Sequence, residues 1–340
     1  MTAVMVALIR KPQIPARHDP DGVVLVDDVE ALLTDALPGD ALPGCGGDTP
    51  YNQNPGRGCN WVSVPAPPLL WRTPAMPTQR LTDLPDTVRR LIEQAAGAPV
   101  VDVGSISAGR NSAIAARVRT PERTLIVKGL PADHPRVWTQ KREALISPHV
   151  QGIAPHLLWH VEDSGWSLLG FEYVEGGHAD YTPTSQDLPA VMAGMIRLAE
   201  IPAPALELKA MTHRFRSYVY ESADLSWFAG ESLLHTEWNP HNILIAGDQA
   251  LIVDWGWAST GAAWIDPALW LLWLIAHGHT CDQAEQAAAA HLAWAHAPAE
   301  GLRVLAHVQR RLWDSIANES EDDWATPMQE AARAWEKHRT

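Results

Sequence analysis

The segment that most constrains this chain runs from Leu234 to Ala258 and reads LHTEWNPHNILIAGDQALIVDWGWA. Two apolar runs, Ile243 to Ile245 and Leu251 to Val253, flank the turn-forming sequence Ala-Gly-Asp-Gln. Short apolar runs on either side of such a turn are typical of paired strands. The segment therefore predicts a β-hairpin whose outer ends carry polar residues.

Oxygen-bearing side chains stand at both outer ends of this hairpin. Glu237 and Asn242 precede its first strand, and Asp254 follows its second. Because the outer ends of two paired strands lie together, these groups gather at one edge. Carboxylate and amide oxygens suit Mg²⁺ held between a protein and a phosphate. The same pattern also fits a surface hairpin with ordinary capping residues, and only residues elsewhere in the chain distinguish the two interpretations.

Composition limits the class of protein. A chain of 340 residues with 46% hydrophobic and 19% charged residues is globular and long enough for two domains or one two-lobed domain. The formal net charge of −14 argues against nucleic-acid binding, which needs a surplus of Lys and Arg to neutralise phosphates. A neutral or cationic small molecule is compatible with this charge.

Cysteine usage and apolar runs bear on localisation. Cys45, Cys59 and Cys281 are too few to cross-link the chain, which favours a reducing cytoplasm. Cys45 and Cys59 could pair or bind a metal, but no second Cys or His pair completes a zinc pattern. The apolar run at residues 3–9 lacks the flanks of a signal peptide. The run from Pro267 to Ala276 is shorter than the roughly 18 residues that suggest a membrane span. We expect a cytoplasmic protein without membrane association.

Residues 1–78 differ from the rest of the chain. Glycine and proline crowd the stretch from Leu37 to Pro77, which disfavours helices and central strands. We therefore predict an irregular or disordered N-terminal extension. Met76 stands where globular patterning begins, so translation in the cell could also start there.

The next elements contain a second group of phosphate-binding candidates. Leu81 to Ala96 has helical periodicity, and Val100 to Val103 reads as a strand. The small residues Gly109, Asn111 and Ser112 follow in a turn whose backbone N–H groups could approach a phosphate. An ordinary β-turn is the alternative interpretation.

A lysine and a glutamate follow on consecutive elements. Lys128 ends the apolar strand that starts at Leu125, and Glu143 lies near the end of a helix predicted from Pro135 to Ile146. A strand lysine and a glutamate of the next helix can pair and hold the ammonium against nucleotide phosphates. A solvated edge lysine is the simpler alternative.

The second half of the sequence is mostly helical. A strand from Trp166 to Val174 runs into Gly176-Gly177, which marks a boundary between two lobes. Helical spacing recurs around the hairpin and predicts helices in residues 188–200, 211–228, 262–277, 283–309 and 327–338.

From about Val100 onward the chain resembles the aminoglycoside phosphotransferase family, which shares the protein-kinase-like fold. The resemblance rests on motifs in the family's order: a glycine turn, a strand lysine, a helix glutamate, an EYVEG hinge, an HxDxxxxN-like loop and a DWG sequence. It implies an α+β fold with two lobes. The smaller, β-rich N-lobe would occupy residues 79–174 and the larger, mostly helical C-lobe residues 175–340.

The resemblance also implies roles for individual residues. ATP or GTP would be bound through its phosphates and through its base. These contacts would come from Gly109, Asn111, Ser112, Lys128 and Glu143 on the phosphate side, and from the backbone of Glu172, Tyr173 and Val174 on the adenine side. Asn242 and Asp254 would hold Mg²⁺. Asp266 and His235 would be structural.

Position 237 departs from the family pattern. The family carries an aspartate there, which orients or deprotonates the acceptor hydroxyl, whereas this chain has Glu237. The extra methylene moves the carboxylate by roughly 1 Å, and such a misplacement can cost on the order of 100-fold in rate. Basicity is nearly unchanged, since free Glu and Asp differ by about 0.4 pKa units.

Three functional hypotheses follow. The first is an ATP-dependent phosphotransferase that acts on a hydroxyl of a small, aminoglycoside-like or other amino-sugar or alcohol substrate, with Glu237 as the catalytic carboxylate. Acidic side chains such as Asp282, Glu285 and Glu319 could then attract an amine-bearing substrate. The second is a pseudokinase-like nucleotide-binding module weakened by Glu237. The third, a protein kinase, is disfavoured by the short separation between Asp254 and Asp266.

Overall fold

The computed structural model describes residues 86–105, 112–320 and 323–340. The predicted N-terminal extension, Gly109 and Asn111, and the pair Cys45 and Cys59 lie outside these residues. No helix within the described ranges is long and apolar enough to cross a membrane.

The first lobe is an antiparallel sheet with two helices. Its five strands lie in the order β1-β2-β3-β5-β4. They are β1 (Asp102–Ser105), β2 (Ile114–Arg119), β3 (Thr124–Pro131), β4 (Leu157–Asp163) and β5 (Trp166–Glu172), accompanied by α1 (Asp86–Ala96) and α2 (Val137–Ile146). In β3 the side chains of Leu125 and Val127 alternate into the core, as the period of a half-buried strand requires. Val88 and Ile92 of α1 pack in the same core.

The second lobe is mostly helical and carries short strands. Its elements are β6 (Gly177–His178), α3 (Leu188–Ala199), β7 (Lys209–Ala210), α4 (Met211–Phe215), β8 (Ser232–Leu234), β9 (Ile243–Ala246), β10 (Gln249–Ile252), β11 (Ser259–Gly261), α5 (Ile265–Ala276), α6 (Cys281–Ala288), α7 (Ala299–Glu319) and α8 (Thr326–Arg339). The strands form two small sheets, ordered β10-β9-β6 and β7-β11-β8. Tight 3₁₀ turns at Pro240–Asn242 and Trp255–Trp257 flank the β9–β10 hairpin.

The central helix of this lobe is α5. It is apolar around its whole circumference, which is typical of a helix enclosed on all sides. It packs against α6 and α8, and the fully buried indoles of Trp238, Trp270 and Trp335 belong to the same core. A two-lobed α+β fold, as the sequence predicts, is therefore what the structure has. The residue boundaries assigned to the lobes stay a prediction.

Two of the predicted helices are wrong in extent. Residues 211–228 contain only α4 and a 3₁₀ turn at Ser222–Phe228, because serine, threonine and aromatic residues in this stretch have low helix propensity. Residues 283–309 are divided into α6, a 3₁₀ turn and α7. Pro298 is the N-cap of α7, and a proline inside a continuous helix would remove a hydrogen bond and clash with the preceding turn.

Candidate active site

The predicted hairpin is confirmed and brings its polar ends together. β9 and β10 are antiparallel, with Ile243 opposite Ile252 at the open end. Beyond that pair the backbone N–H of Val253 donates to the carbonyl oxygen of Asn242 at 2.8 Å. The pairing therefore continues to the residue before Asp254. It places Asn242 and Asp254 at the same end of the hairpin.

Lys128 lies at the centre of the site. Its ammonium donates to both carboxylate oxygens of Glu143, at 3.0 and 2.9 Å, and to Oδ1 of Asp254 at 3.0 Å. Burial by itself lowers the pKa of Lys128, but the adjacent Asp254 and Glu143 carboxylates outweigh it and raise the pKa above its ordinary value. The lysine is therefore held as a cation between two carboxylates. A solvated edge lysine, the alternative interpretation of the sequence, is wrong.

Close packing of α2 against the turn at Trp255–Trp257 places Glu143 beside Asp254. Gly256 makes this approach possible, because a Cβ at that position would lie 2.9 Å from Cβ of Thr139 and 3.3 Å from its carbonyl oxygen. Thr139 is itself buried in α2, one turn before Glu143. The close packing of α2 against this turn therefore requires a glycine at the third position of DWG.

Asp254 has a left-handed backbone conformation with φ of +66°. Non-glycine residues adopt this region at an energetic cost, although aspartate tolerates it better than most residues. The conformation occurs where β10 gives way to the Trp255–Trp257 turn, and the Asp254 carboxylate meets Lys128 there. Such a conformation in the middle of a polar cluster is typical of a functional site.

Glu237 lies on the segment between β8 and β9, close to Asp254. The side-chain N–H of Asn242 donates to its backbone carbonyl oxygen at 3.0 Å. Burial raises the pKa of the Glu237 carboxyl to about 8, and the Asp254 carboxylate adds to the rise, while Arg214, Lys128 and Arg136 oppose it. A carboxyl group with a pKa near neutrality is suited to exchanging a proton with a substrate.

The backbone before Glu237 is fixed from two sides. The Asp266 carboxylate of α5 accepts the backbone N–H groups of His235 and Thr236, both at 2.9 Å. On the other side Nη1 of Arg214 donates to Oγ1 of Thr236 at 2.7 Å and to Oγ of Ser259 at 3.0 Å. Residues from α4, α5 and β11 therefore converge on this segment.

The imidazole of His235, in the same segment, packs among aromatic rings. Its ring is fully buried and lies 4.8 Å from the Trp255 ring and 5.6 Å from the Trp238 ring, measured between centroids. Burial lowers its pKa to about 4, so the imidazole is neutral near pH 7. A neutral ring packed among indoles agrees with the architectural role that the resemblance implies.

The other predicted nucleotide contacts are placed as follows. Ser112 is buried next to Ala113, whose N–H donates to the carbonyl oxygen of Gly129 at 3.0 Å. At the end of β5 the backbone N–H of Glu172 donates to the carbonyl oxygen of His156 at 2.9 Å. Tyr173 is exposed and Val174 half-buried. The adenine-facing role of these three hinge residues stays a prediction.

The acidic C-terminal side chains proposed to attract an amine differ in how far they are paired within the helical lobe. Glu285 pairs with Nε of Arg339 at 2.6 Å and accepts the indole N–H of Trp335 at 2.8 Å. Asp282 lies 3.7 Å from the imidazole of His338, and Glu319 accepts a hydrogen bond from Ser315. The contacts of Asp282 and Glu285 join α6 to α8, whereas the contact of Glu319 lies within α7. The attraction of an amine-bearing substrate by Asp282, Glu285 and Glu319 stays a prediction.

Two residues beside Glu237 escape prediction from the sequence. Arg136 is the buried N-cap residue of α2 and Arg214 belongs to α4. Both act electrostatically on Glu237. Neither belongs to a motif, and an arginine at a helix end is ordinarily solvated. Only the packing of the two lobes brings them to the site.

Comparisons with known proteins identify the fold. No protein-family model matches the chain, and no curated protein matches it. Among solved structures, choline kinase LicA from Streptococcus pneumoniae has a TM-score of 0.52 at 13% identity, covering 74% of this chain and 99% of its own. LicA in complex with AMP has a TM-score of 0.54 at 12% identity, covering 75% and 98%.

An aminoglycoside phosphotransferase is similar to the same degree. A thermostable mutant of APH(4)-Ia in a ternary complex with AMP-PNP and hygromycin B has a TM-score of 0.50 at 16% identity, covering 74% of this chain and 98% of that one. At these identities the likeness shows the fold. The kinase-like fold implied by the sequence resemblance is therefore confirmed.

Proposed function

We propose that this chain, which has the kinase-like fold of LicA and APH(4)-Ia, moves the γ-phosphoryl group of ATP to a hydroxyl of a small molecule. The observation that carries the proposal is the position of Lys128 between Glu143 and Asp254, at 2.9 and 3.0 Å. Phosphoryl transfer depends on charge neutralisation and alignment more than on covalent chemistry. Lys128 supplies a fixed positive charge for neutralisation. Glu237 would align the acceptor hydroxyl.

The residues at the open end of the hairpin fit Mg²⁺. No group of three or more His, Cys, Asp or Glu side chains among the described residues could hold a metal ion by itself. Magnesium in phosphotransferases is typically held by one or two protein oxygens together with phosphates and waters. Because the amide N–H of Asn242 donates to the Glu237 carbonyl oxygen, its Oδ1 would be the ligand atom, together with the Asp254 carboxylate at the same end of the hairpin. Bound Mg²⁺ would supply charge neutralisation at the β- and γ-phosphates.

The chain's own groups would perform the rest of the reaction. Lys128 would bind phosphate oxygens, since its charge is fixed by Glu143. Glu237 in its ionised form would orient the acceptor hydroxyl and take its proton. Because burial and the Asp254 carboxylate raise the pKa of Glu237 to about 8, this form predominates only above that pH. The hydroxyl oxygen would form the new bond to the γ-phosphorus as the bond to the β–γ bridging oxygen breaks, and the nucleoside diphosphate would leave.

The similar structures support a small-molecule acceptor. APH(4)-Ia is described with both AMP-PNP and hygromycin B, and LicA with AMP. Here the segment from Trp255 to Trp264 contains a 3₁₀ turn and β11 and leads directly into α5. It offers no long activation loop that could hold a peptide substrate. A protein-kinase function is therefore disfavoured.

A second candidate is a nucleotide-binding module with little transfer activity. The longer side chain at Glu237 favours it, because a carboxylate displaced by roughly 1 Å can lose about 100-fold in rate. In that case the nucleotide site would be retained, and an aspartate at position 237 would increase turnover.

Nucleotide binding and turnover test these two candidates separately. Thermal shift with ATP and with GTP, each with and without Mg²⁺, measures binding to the wild type, Lys128→Met and Asp254→Asn. Lys141→Met is the matched control, because Lys141 lies on α2 with its side chain 48% exposed. Turnover is then measured against amino sugars, sugars and other alcohols, for the wild type and for Glu237→Asp.

Each result points to one answer. Mg²⁺-dependent binding that Lys128→Met and Asp254→Asn abolish, together with turnover by the wild type, supports the phosphotransferase. Binding without turnover, with activity gained in Glu237→Asp, supports the weakened module. Binding that is equal in the wild type and both site variants would overturn the nucleotide site itself.

A further inference from the structure

One guanidinium nitrogen joins the two sides of the candidate site. Nη1 of Arg214 donates to Oγ1 of Thr236 at 2.7 Å and to Oγ of Ser259 at 3.0 Å. Thr236 directly precedes Glu237 in the chain. Ser259 begins β11, the strand that comes after the turn following Asp254. Arg214 therefore contacts the segments of both carboxylates that the proposed reaction uses.

The carbonyl oxygen of Trp257 is a second point at which these segments meet. It accepts from Nη1 of Arg214 at 3.2 Å, from the hydroxyl of Thr236 at 3.2 Å and from the hydroxyl of Ser259 at 2.9 Å. The Arg214 guanidinium also lies 5.3 Å from the centroid of the Trp257 ring, within the range of a cation–π contact. The four residues form one connected network, so a displacement of either segment disturbs contacts with the other.

The helix that carries Arg214 is held by packing outside this network. α4 follows β7 directly, and Lys209 of β7 lies opposite Ser259 of β11. On α4 itself, Met211 and Phe215 are buried in the core of the helical lobe. The guanidinium therefore reaches the site from a fixed base.

The separation of Glu237 from Asp254 matters for the proposed reaction. Glu237 would orient the acceptor hydroxyl, and Asp254 would hold Mg²⁺ on the phosphates, so their relative position sets the approach of the hydroxyl to the γ-phosphorus. A misplacement of about 1 Å can cost on the order of 100-fold in rate. The two carboxylates also act electrostatically on each other, and like charges favour separation. A contact that holds their segments together therefore opposes this repulsion.

We propose that Arg214 is a positioning residue, which fixes Glu237 relative to Asp254 by joining their two segments. This inference rests on the proposed phosphotransferase function and adds a residue to that site. Arginine suits the role because its planar guanidinium presents several N–H donors in a rigid fork. Lysine keeps the charge, but its ammonium lies on a flexible stem and cannot reproduce the same geometry.

Arg214 and Asp266 act differently on the Glu237 segment. The Asp266 carboxylate of α5 accepts the backbone N–H of Thr236 at 2.9 Å. Arg214 instead donates to the Thr236 hydroxyl and extends the contact to β11. Loss of the Arg214 contacts should therefore shift this segment relative to Asp254, while Asp266 still holds its backbone.

Turnover kinetics test the inference with Arg214→Lys and Thr236→Val. The first variant keeps the positive charge beside Glu237, and the second keeps a β-branched side chain but removes the hydroxyl. Arg216→Lys is the matched control, because Arg216 is exposed at the C-cap of α4. The kcat, the KM for the acceptor and the Kd for the nucleotide are measured for each variant, and thermal denaturation gives its melting temperature.

We expect kcat to fall on the order of 100-fold in Arg214→Lys and about tenfold in Thr236→Val, with the nucleotide Kd within about threefold of the wild type. Arg214→Lys/Thr236→Val should be no slower than Arg214→Lys, because both changes break the same linkage. A residue that only stabilises the fold would lower the melting temperature and leave kcat unchanged well below it. Equal kcat in Arg214→Lys and the wild type, or fully additive losses in the double variant, would overturn the inference.

Hydrogen exchange tests the linkage without any turnover. Mass spectrometry measures backbone exchange in residues 235–242 and 255–261 of the nucleotide-free chain. Arg214→Lys should raise exchange in both segments by about threefold or more. Ser259→Ala should raise exchange in residues 235–242, but should raise it no further in the Arg214→Lys background. If Arg214→Lys does not fold, Ser259→Ala and Thr236→Val provide the test.

The two experiments separate the inference from the proposed function. Exchange that rises as expected in a wild type without turnover would support the linkage through Arg214 and contradict the phosphotransferase. Turnover by the wild type with unchanged exchange in Arg214→Lys would support the phosphotransferase and overturn the positioning role.

Discussion

The Asp266 carboxylate accepts the backbone N–H of Thr236 at 2.9 Å and thereby holds a β-branched residue at φ of +70°. A β-branched side chain rarely adopts this region, because its branches crowd the backbone. The conformation is maintained by Asp266 on one side and by Arg214 on the Thr236 hydroxyl on the other. It directly precedes Glu237, so the orientation of that carboxylate depends on residues distant in the sequence.

Replacement of Asp266 by alanine should destabilise the fold strongly. The change removes the acceptor of two backbone N–H groups, those of His235 and Thr236. Leaving a buried donor unsatisfied costs about 1–3 kcal/mol, so we expect a loss of about 3 kcal/mol in the free energy of unfolding, measured by urea denaturation. Asp282→Ala, at a side chain that is 89% exposed, is the control. A loss below about 1 kcal/mol in Asp266→Ala would contradict this role.

His235 should make stability depend on pH in the acidic range. Burial lowers its pKa to about 4 from an ordinary value of 6.5, so between these two values the unfolded chain binds a proton that the folded chain does not. Stability must then fall as pH decreases from 6.5 to 4, by about 3 kcal/mol in total.

The pH dependence is measured by chemical denaturation at pH 7, 5.5 and 4.5. His235→Phe removes the titrating group and keeps an aromatic ring among the indoles, so its stability should fall less steeply with acidity. His149→Ala, at an exposed position, should retain the wild-type slope. Identical slopes in the wild type and His235→Phe would rule out His235 as the source.

Glu237→Gln should separate catalysis from nucleotide binding. Glutamine keeps the shape of the side chain but cannot accept a proton, and loss of a general base typically costs about 10²–10⁴-fold in kcat. Nucleotide affinity should change by less than about threefold, because Lys128 and Asp254 remain. Both quantities are measured with the acceptor that the wild type turns over fastest. Glu231→Gln, at an exposed residue immediately before β8, is the control. An unchanged kcat in Glu237→Gln would exclude a proton-transfer role.

Gly256→Ala should disturb the contact between α2 and the DWG turn. The new Cβ would lie 2.9 Å from Cβ of Thr139, which a helix residue cannot readily vacate. Overpacking of this kind costs about 1–3 kcal/mol, and the shift of α2 should also weaken nucleotide binding by moving Glu143 away from Lys128. Thermal denaturation and nucleotide titration measure the two effects.

Gly177→Ala is the matched control for this substitution, because a Cβ at Gly177 meets no atom within 4 Å. The control should have wild-type stability and nucleotide affinity. If Gly256→Ala and Gly177→Ala behave alike, the close approach of Thr139 does not limit the structure.

Local patterns in the sequence were sufficient to predict the hairpin and the strand and helix that carry Lys128 and Glu143. Each of these features depends on residues that are neighbours along the chain: an apolar run beside a turn, or a helix that follows a strand. The two side chains meet because β3 and α2 pack in the same lobe. The contact between Lys128 and Asp254 was not predicted, because the sequence placed Asp254 at the outer end of the hairpin and the family resemblance implied only a role in holding Mg²⁺.

Long-range packing explains what the sequence did not reveal. Arg214 meets Thr236 and Ser259 only because β7, β8 and β11 form one small sheet. No periodicity or motif spacing in the sequence predicts the contacts of Arg214 with these two residues. Helix periodicity also failed in residues 283–309, where alanine-rich sequence continues a helical pattern across the break before Pro298.

The three bonds of Lys128 have a consequence for how the site is filled. An ammonium has three N–H donors, and here all three are used, two by Glu143 and one by Asp254. A phosphate oxygen that reaches this lysine must therefore displace a carboxylate oxygen. Nucleotide binding at Lys128 thus exchanges a carboxylate oxygen for a phosphate oxygen. The affinity for the nucleotide therefore depends on the difference between the Lys128–phosphate and the Lys128–carboxylate interactions. If Asp254 supplies the displaced oxygen, its carboxylate loses the contact with Lys128 and would be one of the two residues, with Asn242, that hold Mg²⁺.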